Sequence, residues 1–406
     1  MFRRIYVFLF LPLFALQCTR DFSVAPDAVQ RRELTSLEKQ IVESDQVFGL
    51  KLFKEIVKND ADENIFISPL SVAMALGMTY NGASGTTEEA MRNTLEFGDL
   101  TFEEINESFK SLMELFVGLD SKVQFQIANS IWYRLGFYVE PDFINVNKFY
   151  FNAEVRGLDF SSPDAPGIIN NWVNVNTHGK IEEIIDAISP LTVMFLINAI
   201  YFKGTWTYAF DRSLTTDAQF TTSDGSRVPC RMMEQECDLP YFETDDFQAV
   251  DMPYGDGLFS MTVFLPKPGT SVNELIEEFT PENWAQWMGS FSETTLTLHM
   301  PKFKLEYEDS LNRVLTNLGM GIAFSDQADF TRINRNGGLF ISMVKHKTFV
   351  EVDEEGTEAA AVTVVEIRYT STGLVMTVDR PFVFVIRERQ SNALLFMGKI
   401  VEPSLE

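Results

Sequence analysis

The chain has 406 residues and a formal net charge of -25, with 45% hydrophobic and 13% aromatic residues. That is ample apolar material for a packed core. An acidic surplus of this size argues against nucleic acid, polyanionic glycans and anionic lipid surfaces as partners, because all of these demand Lys/Arg patches. No Pro/Gly/Ser-rich linker, low-complexity tract or internal repeat interrupts the chain. A single large mixed domain is therefore expected, although length alone would suggest two or three.

Arg3 and Arg4 precede an apolar run, Ile5 to Leu16, too short to remain in a bilayer as a spanning helix. Residues 1–17 read as an export signal, which places the mature chain outside the cell, on its surface or in a periplasm. Cys18 follows at once and suggests a lipid anchor of the bacterial type, though Gln17 departs from the small residue usual before such a cysteine. A lipidated Cys18 and a plain secretory cut near it both stand as readings. Residues 18–43 are charged and lack sustained apolar periodicity, and read as a tether, with the folded domain at 44–406. Cys230 and Cys237, exported into a disulfide-permissive compartment, read either as a pair or as two free thiols.

Helical spacing of Val47, Phe48, Leu52, Phe53 and Ile56 predicts a helix from Ser44 to Lys58. Asn64-Ile-Phe-Ile-Ser-Pro-Leu-Ser is a short strand meeting a helix, with Ser68 as N-cap and Pro69 at the first helical position. That helix runs to about Tyr80 and is apolar all round, so it is buried. Thr86-Thr-Glu-Glu opens another, and Glu103 to Val117 is amphipathic. Val123 onward alternates as a strand, and helices follow at Pro141–Phe151 and Pro166–Gly179. Val193 to Phe202 is a near-continuous apolar run, the mark of a strand buried on both faces. From Phe220 most segments read as strands: Phe220–Met232, Gln248–Tyr254, Leu258–Leu265, Thr294–Leu298 and Val383–Ile386. Helices at Val272–Phe279 and Ser310–Leu318 interrupt them. Helices and sheets with few βαβ units make this an α+β protein.

Catalytic chemistry finds no footing. The three histidines, His178, His299 and His346, lie in no nucleophile elbow or HExxH pattern. No Cys/His cluster has metal-ligand spacing, and no cofactor is called for. Asp353-Glu354-Glu355 reads as a solvated acidic face, and Gly82-Ala-Ser-Gly lacks the lysine of a phosphate loop.

The most informative segment runs from Val350-Glu-Val-Asp-Glu-Glu-Gly-Thr to Asp379-Arg-Pro-Phe-Val-Phe. After Gly356, period two places Thr357, Ala359, Ala361, Thr363, Val365 and Ile367 on one face, all small or apolar. Glu358, Ala360, Val362, Val364, Glu366 and Arg368 form the other, which carries the charges. The Ala block equally fits an irregular loop, and Gly356 supplies backbone freedom at its root. A segment that fits both a loop and a strand is a switch.

Here the chain resembles the serpins, the suicide inhibitors of serine and cysteine proteases. Glu354-Glu355-Gly356-Thr357-Glu358-Ala359-Ala360-Ala361 is similar to the hinge of their inhibitory members. Asp379-Arg-Pro-Phe, followed by Leu395-Phe-Met-Gly-Lys-Ile-Val-Glu-Pro, is similar to their C-terminal signature. The resemblance covers about Ser44 to Pro403 and, with the leader, points to an exported bacterial member. It implies three β-sheets, eight or nine helices, an exposed reactive-centre loop at about 356–380, and a monomer whose partner is a target protease. It also implies a mechanism: the protease attacks the loop, forms an acyl-enzyme, and is carried away as the freed segment inserts into the central sheet. About ten ladder hydrogen bonds at ~1 kcal/mol each, with burial of Val365 and Ile367, would drive this by on the order of 10 kcal/mol.

Carried over by motif, Ser68, Ser71, Asn198 and His346 look like the shutter that controls opening of that sheet. Trp206, Lys302 and Glu354 look like the breach where insertion begins, with a Lys302–Glu354 surface ion pair worth about 0–1 kcal/mol. Loop spacing counted from Gly356 puts the scissile bond at Thr370–Ser371. Thr370 suits shallow, elastase-like pockets, while Tyr369 and Arg368 would serve chymotrypsin-like or trypsin-like enzymes in a shifted register. A non-inhibitory carrier, chaperone or storage member would spoil the small inward positions, which are intact here. A surface-binding lipoprotein without a protease partner is the reading from another class.

Overall fold

The computed structural model describes residues 32–357 and 373–404. The signal at 1–17, Cys18, most of the tether, Glu358, Ala359, Ala360, Ala361, Thr370 and Ser371 lie outside them.

The folded part opens with α1 (Ser36–Asn59), which starts well before the expected boundary at Ser44. Thr35 and Glu38 form a capping box, and Ile41 and Val42 are buried on the first turns. The end of the supposed tether is therefore helix, nucleated by a Thr-Ser-Leu-Glu signal. β1 (Ile65–Ile67) leads into α2 (Pro69–Tyr80), then α3 (Gly85–Thr94) and α4 (Phe102–Phe116). β2 (Val123–Arg134), α5 (Pro141–Tyr150), β3 (Glu154–Leu158), α6 (Ala165–Asn176) and β4 (Met194–Thr205) follow. Next come β5 (Thr216–Thr221), β6 (Arg227–Glu243), β7 (Phe247–Tyr254), β8 (Phe259–Pro266), α7 (Val272–Glu277) and α8 (Pro281–Met288). The chain continues through β9 (Ser292–Pro301), β10 (Phe303–Ser310), α9 (Asn312–Leu315), β11 (Lys345–Val352) and β12 (Gly356–Thr357). It ends with β13 (Leu374–Thr377), β14 (Phe382–Glu388) and β15 (Leu394–Ile400).

Nine α-helices are present among the described residues. The single strand expected at Phe220–Met232 is a hairpin, because Asp224 and Gly225 turn the chain between β5 and β6 and Gly225 takes φ +83°.

Among the described residues six strands form the central sheet, in the order β10-β11-β12-β4-β2-β3. A nine-stranded network holds the rest. Within it β6 pairs β5 at its start and β9 over Met232–Tyr241, and passes to β7 only at Tyr241. The second and third sheets expected from the resemblance are thus joined through one long bent strand.

α2 lies behind the central sheet, with Met74 within reach of Asn198 on β4. α6 covers the other part of that sheet, burying Ile169 and Val173 with Trp132 and Ile197. No disulfide joins Cys230 and Cys237, which both belong to β6. Along a continuous strand they stand about 23 Å apart and on opposite faces, so they cannot form a disulfide with each other.

Candidate functional site

The site is built where β11 turns into the expected hinge. Asp353 folds the chain back: its Oδ1 accepts from the backbone N–H of Glu355 at 2.9 Å and of Gly356 at 3.2 Å, and its own N–H donates to Gly356 O at 3.0 Å. Gly356 and Thr357 then lie antiparallel between β11 and β4. Thr357 pairs with Val352 on one side and Gly204 on the other, and Gly356 pairs with Thr205. The first residues of the expected exposed loop are therefore already strand, and Thr357 is only 2% exposed.

Glycine at 356 is dictated by contact more than by freedom. A Cβ there would stand 2.0 Å from Gly204 O, far inside any tolerable separation. Below this point β11 and β4, both antiparallel to β12, run parallel and pair with each other nowhere among the described residues. The central sheet holds a seam.

Around the hinge the chain places Trp206, Lys302 and Glu354 together. Lys302 Nζ donates to Glu354 Oε2 at 2.7 Å and Thr215 Oγ1 donates to Glu354 Oε1 at 2.8 Å. Burial pushes the Glu354 carboxyl up, but these hydrogen bonds outweigh it and hold the group below the usual carboxylate range. Trp206 Nε1 donates to Asp353 O at 3.0 Å, its backbone N–H to Glu355 O at 2.9 Å, and the Phe210 N–H to Glu354 O at 2.8 Å. Glu355 pairs with Arg212.

Two expectations are corrected here. Glu354 and Glu355 are buried and individually partnered, not a solvated acidic face. The Lys302–Glu354 pair is not a surface pair either, since the Glu354 side chain is 6% exposed. Losing one partner of such a pair costs more than the surface value. Sequence reading missed Asp353 as the turn former, and Thr215, Arg212 and Tyr254, which come from elsewhere in the chain and carry no local motif.

Ser68, Ser71 and His346 meet under the sheet. The Ser68 N–H donates to His346 Nε2 at 3.0 Å, its Oγ donates to Leu395 O at 2.7 Å and accepts from the Ser71 N–H at 3.2 Å. Ser71 thus contributes its backbone, as the capped turn of α2 requires. Burial holds the His346 imidazole neutral, its pKa lowered to about 4. Asn198 has no hydrogen bond to this trio. Its Nδ2 donates to Asn129 Oδ1 at 2.8 Å across the β2–β4 register, while its Oδ1 is buried with no hydrogen-bond partner among the described residues. Asn129 is a partner of Asn198 that the sequence did not single out.

Residues 43–403 match the family model described as serpin (serine protease inhibitor). The chain belongs to the serpin family. A leukocyte elastase inhibitor of Xenopus laevis is 34% identical over 88% of this chain and 97% of its own. The thermophilic serpin tengpin in its native state superposes with a TM-score of 0.83 at 33% identity, covering 92% of this chain and 96% of its own. Human thyroxine-binding globulin in complex with its hormone superposes with a TM-score of 0.84 at 28% identity, over 91% of this chain and 100% of its own. The family fold thus serves both a protein named as an elastase inhibitor and one named for binding thyroxine.

The far end of this serpin's loop is tied into the other sheet. β13 pairs in parallel with β9, the Val378 N–H donates to His299 O at 2.9 Å, and His299 Nδ1 lies 3.0 Å from Thr377 Oγ1. One end of the segment is anchored beside the seam and the other on the nine-stranded network.

Proposed function

We propose that this serpin is a covalent-trapping inhibitor of serine proteases, with cysteine proteases as a secondary target class. The observation that carries this is β12, seated between two parallel strands that do not pair with each other among the described residues. Two such strands with the root of a third already between them are arranged to accept the rest of that third strand. The protease nucleophile attacks the carbonyl of the residue before the scissile bond. The acyl bond forms, the peptide bond breaks, and the new amine leaves with the C-terminal piece, which β13 keeps on the nine-stranded network. The segment after Thr357 is then free to zip into the seam with the acylated protease attached.

Thr357, Ala359 and Ala361, small at every other position, support easy entry. The breach hydrogen bonds fix where entry begins. Thr370–Ser371 is the bond this reading assigns, and an elastase-like enzyme is the favoured target. The similarity to a leukocyte elastase inhibitor supports that choice. Export by the leader, with Cys18 as a lipidation site, would place the inhibitor where secreted proteases act.

Incubation with an elastase-type serine protease should give an SDS-stable, higher-mass complex and a released peptide beginning at Ser371 by mass spectrometry. Clean cleavage with no such complex would overturn the inhibitory reading. A peptide beginning elsewhere would overturn the assigned bond.

A further inference from the structure

Tyr254 ends β7, in the nine-stranded network, yet its side chain reaches the hinge. Its ring stacks on Trp206 with centroids 4.4 Å apart and planes 13° from parallel, and meets Phe202 edge-on at 5.1 Å. Gly204 makes the room: a Cβ there would lie 2.8 Å from the Tyr254 ring. The backbone is pinned as well, since the Gly255 N–H donates to Thr205 O at 2.8 Å and the Thr207 N–H to Pro253 O at 2.9 Å. So held, the Tyr254 hydroxyl lies 2.7 Å from Thr357 Oγ1, and both side chains are buried. Desolvation drives the phenol pKa far above its ordinary value, so the hydroxyl stays protonated and neutral.

We propose that Tyr254 is a positioning residue: its hydroxyl latches Thr357 and holds the hinge seated in the mouth of the seam before any protease arrives. The latch selects a small hydroxyl-bearing side chain at position 357. An apolar residue leaves the phenol unpaired, and a long one collides with a ring that Trp206, Phe202 and Gly204 do not allow to retreat. For function it rests on the inhibitory reading, because a seated hinge shortens the time before the acylated loop enters. The seating itself does not depend on that reading.

The test is native-state hydrogen exchange on the intact protein, read at the Trp206 and Phe210 amides, which donate to the hinge carbonyls of Glu355 and Glu354. Tyr254→Phe and Thr357→Val each orphan one buried hydroxyl, and each should speed exchange at both amides about tenfold. The double variant removes both hydroxyls and should return to within about twofold of the parent, while Thr357→Ser should match the parent. A ring that merely fills space predicts no such restoration. Unchanged exchange in Thr357→Val, or a double variant looser than either single, overturns the latch. Should Tyr254→Phe fail to fold, the Val and Ser variants at 357 still decide. No protease enters this measurement, so a parent that traps no protease would sink the inhibitory reading and leave the exchange pattern to judge the latch.

Discussion

Replacing Gly356 by Ala tests the seat of the hinge with a single methyl. The added carbon would sit 2.0 Å from Gly204 O and 2.8 Å from Thr205 Cα, both backbone atoms of a strand paired along its length with β2. Neither can move without breaking that ladder, so the hinge must leave. What it forfeits is the pairing with Thr205 and Gly204, the Asp353–Gly356 turn bond and the Thr357–Tyr254 bond, about four hydrogen bonds at ~1 kcal/mol each. Against this, two residues regain ~1–2 kcal/mol each of conformational freedom. With ~1.5 kcal/mol regained per residue, the net loss saturates at about 1 kcal/mol, because departure relieves the clash. Exchange of the Trp206 amide should therefore rise about fivefold, with the core amides of β8 and β14 unchanged. In a protease assay the variant should yield more cleaved chain and less covalent complex, since insertion starts from an unseated hinge. Parent-like protection of the Trp206 amide would refute the close approach at Gly204 and the seating built on it.

Loop cleavage should raise the melting temperature well above that of the intact protein, as the freed strand fills the seam between β11 and β4; equal melting of the two forms would mean no insertion. Thr357→Arg would have to bury a guanidinium between β11 and β4 at a cost of several kcal/mol. It should turn inhibitor into substrate in gel assays, whereas Glu358→Arg, on the alternate face by period two, should still trap protease. His346 is neutral in the fold, its pKa lowered to about 4 from 6.5. A lowered pKa means that its contribution is complete above pH 6.5 and is lost as pH falls towards 4, on the order of 3 kcal/mol. Denaturant midpoints at pH 7.5 and 4.5 should differ less in His346→Gln than in the parent.

What could be read in advance follows the range of the interactions. Ser68 and Pro69 announce the start of α2 because capping is a matter of adjacent residues. The small face from Thr357 onward is likewise visible, since strand period is local. The start of α1 was legible too, in Thr35 and Glu38, but their charged surroundings hid it. The burial of Glu354 and Glu355 was not legible. It depends on Lys302 from one segment and Arg212 and Thr215 from another, and a run of acids read alone defaults to solvent. Nor could Gly356 reveal that its demand is steric, because Gly204 lies 152 positions earlier in the chain. Tyr254 carries no signal at all until the two sheets are assembled.

The register of the seated residues fixes where later ones would go. Thr357 stands opposite Gly204 on β4 and Val352 on β11. Continued without a bulge, the residue six positions on, Thr363, meets the residues six positions back on each neighbour, Asn198 and His346. By period two Thr363 falls on the same face as Thr357, so on insertion its hydroxyl would enter the layer where Asn198 Oδ1 is buried without a hydrogen-bond partner among the described residues. An orphaned buried acceptor of this kind costs about 1–3 kcal/mol, a strain on the uncleaved state that an arriving hydroxyl would relieve. On the inhibitory reading, the proposed shutter would then do more than gate the sheet: it would hold part of the driving force until the strand reaches it. Thr363→Val keeps the shape and removes the donor. It should leave the melting of the intact protein unchanged and lower that of the cleaved form by the few degrees that about 1–2 kcal/mol represents. An equal shift in both forms, or none in the cleaved one, would show that the strand enters in another register.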